Sequence, residues 1–357
     1  MAVKTHTVEV GYDEFCGALA AKDLQPLWTQ SGTLMPKQPR PTTVPWLWNW
    51  DTLFALAERA GELITVQRGG DRRVLALANP GLDGQPYTSS TLWGAIQYLG
   101  PRESAPAHRH TPSAIRFVMQ GEGVWTTVNG DSCEMRPGDL VLTPSWAWHD
   151  HHNEGDSAMV WFDGLDLPFV GMMEAVFFEN HPELRQPITG HNESERRYGG
   201  RAMRSPANGP ALPHSPLLRY PWEETDRALA ELLAAEGGPM VTLEYTNPLD
   251  GRPAIPTFSS EMHRIAPGGR TPPRRKVGSS VFVVHHGTGA TIVNGQRFDW
   301  APGDIFVTPS WSIVEHHAAE QADLFVISDR PILQALHLYR EAELEAPQDV
   351  IAVFEAK

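Results

Sequence analysis

The chain of 357 residues is long enough for two mid-sized domains, and 41% hydrophobic with 20% charged residues is an ordinary globular balance that excludes disordered, collagen-like and coiled-coil classes. A formal charge of −14, from 29 Lys and Arg against 43 Asp and Glu, repels phosphate backbones and anionic lipid, so neither nucleic acid nor a membrane is an expected partner. Two cysteines, Cys16 and Cys133, without CxxC spacing exclude a disulfide framework and point to a reducing cytoplasm, while 31 glycines, 31 prolines and 12 tryptophans favour many short strands.

Met1–Asp13 is polar and acidic where a signal peptide needs an apolar core, and reads as mature protein. Tyr12–Trp28 and Asp51–Ile64 carry apolar residues at helical spacing, the second with Asp51 as its expected N-cap, and the prolines of 36–46 join them in extended conformation. Arg72 and Arg73 open an apolar strand, Val74–Leu77. Two copies of one pattern follow. Arg136-Pro-Gly-Asp-Leu-Val-Leu-Thr-Pro-Ser-Trp146 returns as Ala301-Pro-Gly-Asp-Ile-Phe-Val-Thr-Pro-Ser-Trp311, preceded by Val128-Asn-Gly130 and Val293-Asn-Gly295. Short β-rich runs between Gly, Pro and Asn-Gly turns predict a sandwich or barrel for each copy. Between them 181–216 reads as a long loop and Trp222–Glu236 as a helix; Pro331–Glu345 is expected to close the chain as another. Ala158–Phe178 is the most apolar stretch, and Asp163, Asp166 and Pro168 interrupt it before it is long enough to span a membrane.

His108-Arg-His110 places two imidazoles on one side of a strand, where they can chelate one ion. Downstream, Gly138, Pro144, His149 and Asn153 keep the spacing G-x5-P-x4-H-x3-N. The two segments together resemble the paired motifs of the cupin superfamily, with Trp146 where that family usually has glycine. The resemblance implies a small jelly-roll barrel around a metal, with His149 as a third ligand. Ala114 and Ile115 stand where a cupin glutamate is usual, so the implied ligands are His108, His110 and His149 alone. By ligand type this neutral trio suits Fe(II), Zn(II), Ni(II) or Cu(II). In the second copy Arg274 and Lys276 align with His108 and His110, and Val314 with His149. That copy reads as a scaffold or association module, and His316 and His317 as surface or interface histidines.

Arg116 follows the turn Thr111-Pro112-Ser113, so its guanidinium can return towards the ligands and pair either with a bound carboxylate or with a protein acid. Arg72 carries the same two readings. His151 shares the strand face of His149, and Asp163 lies on the next strand; either can act as a base beside the metal. His108–Phe117, Trp146–His151, Trp161–Pro168 and Arg72–Pro80 resemble gentisate 1,2-dioxygenase and its relatives acting on salicylate and 1-hydroxy-2-naphthoate, over nearly the whole chain. The resemblance implies a mainly β bicupin. An N-terminal helical arm with leading strands spans 1–80, the metal barrel 81–180, a linker with a helix 181–238, the second barrel 239–330, and a C-terminal helix and tail 331–357. It also implies a cytoplasmic homotetramer that binds a small aromatic hydroxy acid and O2, with one Fe(II) per subunit in the first barrel. The implied reaction is extradiol-type ring cleavage between the carboxyl-bearing carbon and its hydroxylated neighbour. Arg72, Trp93, Gln97, Arg116, His151 and Asp163 match pocket positions, with Gly94 and Ala95 along the pocket. The para hydroxyl of gentisate feeds charge into the ring, so gentisate, opened to maleylpyruvate, is the expected substrate. The alternatives are a sibling enzyme for salicylate, a substituted salicylate or 1-hydroxy-2-naphthoate, a non-catalytic ligand-binding cupin, and Zn(II) or Ni(II) isomerase or hydrolase chemistry.

Overall fold

A computed structural model describes residues 2–64, 73–200 and 212–356. The chain divides into two compact units, Met1–Arg40 and Pro41–Lys357. In the first, α1 (Ala2–Ala20) and α2 (Leu27–Leu34) take the place of the single helix expected over Tyr12–Trp28. Asp23 in the left-handed region (φ 55°) turns the chain, and Pro26, which has no N–H to extend α1, precedes α2. Trp28 donates from Nε1 to Tyr12 Oη at 2.9 Å and stacks on Phe15.

The second unit opens with β1 (Trp46–Trp48), α3 (Trp50–Leu63) and β2 (Val74–Ala76). A first barrel follows: β3 (Trp93–Leu99), β4 (Ser104–His110), β5 (Ala114–Gln120), β6 (Val124–Val128), β7 (Asp131–Glu134), β8 (Leu140–Thr143), β9 (His149–Asn153) and β10 (Met159–Leu165). The connection holds α4 (Leu167–Met172), β11 (Phe178–Asn180), β12 (Gly190–His191), α5 (Glu193–Tyr198), β13 (Arg219–Tyr220) and α6 (Trp222–Glu236), the last with the expected bounds. A second barrel repeats the first: β14 (Met240–Glu244), β15 (Ser259–Ile265), β16 (Arg274–Lys276), β17 (Ser280–His286), β18 (Gly289–Val293), β19 (Gln296–Trp300), β20 (Ile305–Thr308), β21 (Ile313–His317) and β22 (Ala322–Ser328). The chain ends with α7 (Arg330–Ala335), β23 (Glu341–Glu343) and β24 (Ala352–Val353). The helix expected over Pro331–Glu345 therefore stops at Ala335: His337 takes a left-handed φ of 57°, and Arg274–Lys276 offers β23 an edge to pair with.

The sheet orders coincide. β13-β8-β5-β10-β3-β2 and β11-β4-β9-β6-β7-β12 form the first barrel; β1-β20-β17-β22-β15-β14 and β23-β16-β21-β18-β19-β24 form the second. Each strand alternates. Ile115, Phe117, Leu140, Leu142 and Phe162 face Val281, Val283, Ile305, Phe325 and Ile327 in one core between the barrels, where the Phe117 and Phe325 rings stack 4.2 Å apart. The intervening residues point inwards, and in the first barrel these include Arg116, Val118, Trp161 and Asp163.

The lead-in strands are exchanged: β1, ahead of the first barrel, pairs with β20 of the second, and β13, ahead of the second, pairs with β8 of the first. The repeated Pro-Gly-Asp explains the exchange. Asp139 accepts the Trp222 N–H at 2.9 Å and Asp304 accepts the Trp50 N–H at 2.7 Å, so each aspartate caps the helix that leads into the opposite barrel. Gly138 and Gly303 adopt φ of 86° and 89°, and a Cβ on either would strike Trp222 or Trp50. The N-cap of α3 is Asn49, whose side chain accepts from the Thr52 N–H; Asp51, expected in that role, lies in the first turn. Among the described residues no helix is long and apolar enough to cross a membrane.

Candidate metal centre

His108 and His149 are directly paired across β4 and β9, and His110, two residues on, projects to the same side. The pairing brings one ligand nitrogen from each of the three histidines within 4.8 Å of the others, the only such metal-ligating group among the described residues. Each ring is aimed by its own backbone: Nδ1 of His108 donates to Pro106 O at 2.8 Å, His110 to Pro112 O at 2.7 Å and His149 to Ala147 O at 3.0 Å. A carbonyl only accepts, so all three Nδ1 atoms carry the proton and Nε2 is the atom by which each neutral ring would ligate. The Nε2 of His149 is buried without a hydrogen-bond partner, which an ion would supply. Burial, with His108 and Arg116 adding to it, holds His149 well below the usual imidazole range, so the ring is neutral as metal ligation requires. The donor set fits a divalent borderline metal.

Beside this trio lies a buried ionic pair. Arg116 and Asp163 face each other across β5 and β10, with Arg116 Nε 3.5 Å from Asp163 Oδ1. The protein-acid reading of Arg116 is thus realised, yet loosely. Nε makes no hydrogen bond, while Nη1 donates to Thr143 Oγ1. Burial raises the Asp163 carboxyl to about 6, against the pull of Arg116 and the Trp161 Nε1–H. His151 is buried, hydrogen-bonded through Nδ1 to Thr126 Oγ1 at 2.8 Å, and held neutral by burial with Arg116 close by. Ala95 pairs with Asp163 and Gln97 with Trp161, and alternation along β3 puts half-buried Trp93 on the same inner side. Gly94 faces the other way, since a Cβ there would meet Phe162 and Thr88 Oγ1 at 2.9 Å. Arg72 lies outside the described residues. Its neighbour Arg73 is bound to Glu103 and to Gly61 O.

Residues 95–165 match the cupin domain family. Over 342 residues, covering 93% of this chain and 96% of the relative, the sequence is 48% identical to a gentisate 1,2-dioxygenase from a Streptomyces species. It is 38% identical to a 5-aminosalicylate 1,2-dioxygenase from a Comamonas species, over 92% of this chain and 89% of that one. The structure superposes on the salicylate 1,2-dioxygenase of Pseudoaminobacter salicylatoxidans in its gentisate adduct with a TM-score of 0.90, 43% identity and 94% of each chain covered. The chain belongs to the gentisate 1,2-dioxygenase family. As a member it is an oxidoreductase that incorporates both atoms of O2, built as a bicupin.

Several residues that serve this family's fold here escape a reading of the sequence. Trp146 adopts φ of 62°, the left-handed conformation that explains the glycine usual in cupins. Its strain is offset by Arg109, whose guanidinium lies 4.4 Å from the rings of both Trp146 and Trp148, and Trp146 N–H holds His110 O at 2.9 Å. Thr126 and Thr143 are hydroxyl partners with no motif of their own, although Thr126 recurs as Thr291 in the second copy, where it binds His316 Nδ1 at 2.8 Å. His316 is therefore an interior residue, 6% exposed, at the place of His151 in the repeat, contrary to the surface reading; His317 is half-buried.

Proposed function

We propose that this enzyme opens the ring of gentisate with O2, between the carboxyl-bearing carbon and the adjacent hydroxylated carbon, to give maleylpyruvate, using one Fe(II) per subunit held by His108, His110 and His149. The reading is carried by one observation above others: three imidazoles converge within 4.8 Å in the same barrel as a buried guanidinium. When bound, Fe(II) supplies the redox chemistry that lets an aromatic ring react with dioxygen. The remaining tasks fall to side chains of this chain. Arg116, tethered by Thr143 and held only loosely by Asp163, offers its guanidinium to the substrate carboxylate, with Arg72 as a second cation for that group. Trp93, Ala95 and Gln97 line the ring's side of the pocket. Asp163, near 6, takes and returns the hydroxyl proton, a task that favours a group titrating close to the working pH, and His151, held neutral by burial, is a hydrogen-bond partner beside it.

A second reading, a sibling enzyme for salicylate, a substituted salicylate or 1-hydroxy-2-naphthoate, is favoured by the similarity to the salicylate enzyme. The test is oxygen uptake by protein reconstituted anaerobically with Fe(II), on separate additions of gentisate, salicylate and 1-hydroxy-2-naphthoate, with product masses. Uptake with gentisate and a product heavier by two oxygen atoms is expected. Uptake only with the other acids selects the sibling, and none despite bound iron overturns the oxygenase chemistry at this site. Exposed Phe15, Trp28, Met35, Met172 and Phe177 support a homo-oligomer, read as a cytoplasmic tetramer and checked by light scattering.

A further inference from the structure

We infer that the second barrel positions the metal ligand His110, through Thr257 and Asp166. The inference rests on the metal reading above and concerns three hydrogen bonds in series. The His110 Nδ1–H donates to Pro112 O at 2.7 Å, and the N–H of the same peptide unit, that of Ser113, donates to Asp166 Oδ1 at 2.8 Å. The other oxygen of Asp166 accepts from Thr257 Oγ1 at 2.5 Å, and Thr257 stands just ahead of β15 in the second barrel. One rigid peptide plane is thus gripped at both ends, by a metal ligand and by a buried carboxylate.

The other two ligands lack this arrangement. The peptide that orients His108 passes its N–H, that of Ala107, to Leu184 O at 2.9 Å; the one that orients His149 passes its N–H, that of Trp148, to Asn129 Oδ1 at 3.0 Å. Both end on neutral amide oxygens. Only His110 has a carboxylate behind its peptide, and a charged acceptor on the N–H strengthens the carbonyl at the other end as an acceptor, making the imidazole a better donor to a metal. A twin of the device exists without a ligand. Asp329 accepts from Ser279 N–H at 2.9 Å and from Thr91 Oγ1 of the first barrel at 2.5 Å, but the residue at the place of His110 is Lys276, which has no second ring nitrogen to orient. The two latches hold the barrels together alike, and one of them also serves the metal.

The twin provides the control. Full-length protein loaded with Co(II) or Fe(II) is challenged with a chelator, and the rate of metal loss and the visible Co(II) spectrum are compared for Thr257→Val, Thr91→Val and wild type. Both variants lose one cross-barrel hydrogen bond of equal length. Thr257→Val is expected to lose metal about three- to tenfold faster with a shifted Co(II) spectrum, Asp166→Asn about ten- to a hundredfold faster, and Thr257→Ser to behave as wild type. Thr91→Val is expected to keep the wild-type rate and spectrum. Equal behaviour of Thr257→Val and Thr91→Val overturns the positioning role while leaving the metal site standing. Failure of the wild type to bind Co(II) or Fe(II) overturns the metal reading and this inference with it.

Discussion

The two barrels share one scaffold and differ in what they enclose. Across β5 and β10 the first opposes Arg116 to Asp163; across β17 and β22 the second opposes Phe282 to Val326, with Phe282 stacked on Phe306 at 4.6 Å. Across β4 and β9 the first opposes His108 to His149; across β16 and β21 the second opposes Arg274 to Val314. Where the first has small Ala95 against Asp163, the second has Glu261 against Val326, bound by His263 at 2.9 Å and Arg330 at 2.8 Å. The hydrogen-bonded histidine and threonine at 151/126 are kept at 316/291. Pairing, turns, helix caps and the shared core are indifferent to these exchanges, so strand register is set by the outer and inter-barrel faces and the interior is left to chemistry.

The largest effect expected from breaking this contrast is at the ligands. His149→Ala should abolish metal uptake and lower turnover on the order of 10^3-fold or more, since several kcal/mol of electrostatic stabilisation leave with the ion. Val314→Ala, its counterpart, should leave turnover near wild type; metal analysis with oxygen uptake checks both. Next is the ionic pair. Arg116→Leu strands a buried carboxylate and should cost about 3 kcal/mol in urea unfolding, while metal is retained and KM for the hydroxy acid rises. Importing the second barrel's pair as Arg116→Phe with Asp163→Val should recover that stability without recovering turnover.

A subtler test uses the twin carboxyls. Burial, partly offset by hydrogen bonds, raises Asp166 and Asp329 from 3.8 to about 6. Each folded-state carboxyl holds its proton more tightly than in the unfolded chain. Its contribution is therefore full below the unfolded value and is lost as pH rises through about 6, by at most about 3 kcal/mol each. Asp329→Asn should accordingly gain in Tm relative to wild type between pH 4 and pH 7; a gap that does not change with pH refutes the shift. The smallest effect is expected at Trp146 and Trp311, with φ of 62° and 63°. Mutation to glycine relieves left-handed strain of about 1 kcal/mol and removes a cation–π contact of similar size, so urea midpoints should move little in either barrel.

Much of this was legible along the chain. The duplicated Pro-Gly-Asp…Thr-Pro-Ser-Trp string and the period of two in His108-Arg-His110 depend on neighbours a few residues apart, and such local patterns survive in one dimension. So did the loss of ligands at Arg274, Lys276 and Val314, because the repeat supplies its own alignment. What the folded chain alone decided lies between residues distant in sequence. Arg116 meets Asp163 rather than another of the 43 acids because β5 and β10 adjoin. His316 turns inwards, and the lead-in strands β1 and β13 cross to opposite barrels. Asp166 reaches both Ser113 and Thr257. No periodicity encodes these meetings, since they follow from sheet order and from packing one barrel on the other. The candidate ligands were legible in local spacing and in the resemblance that spacing carries, and the charges and hydrogen bonds around them were set by tertiary adjacency.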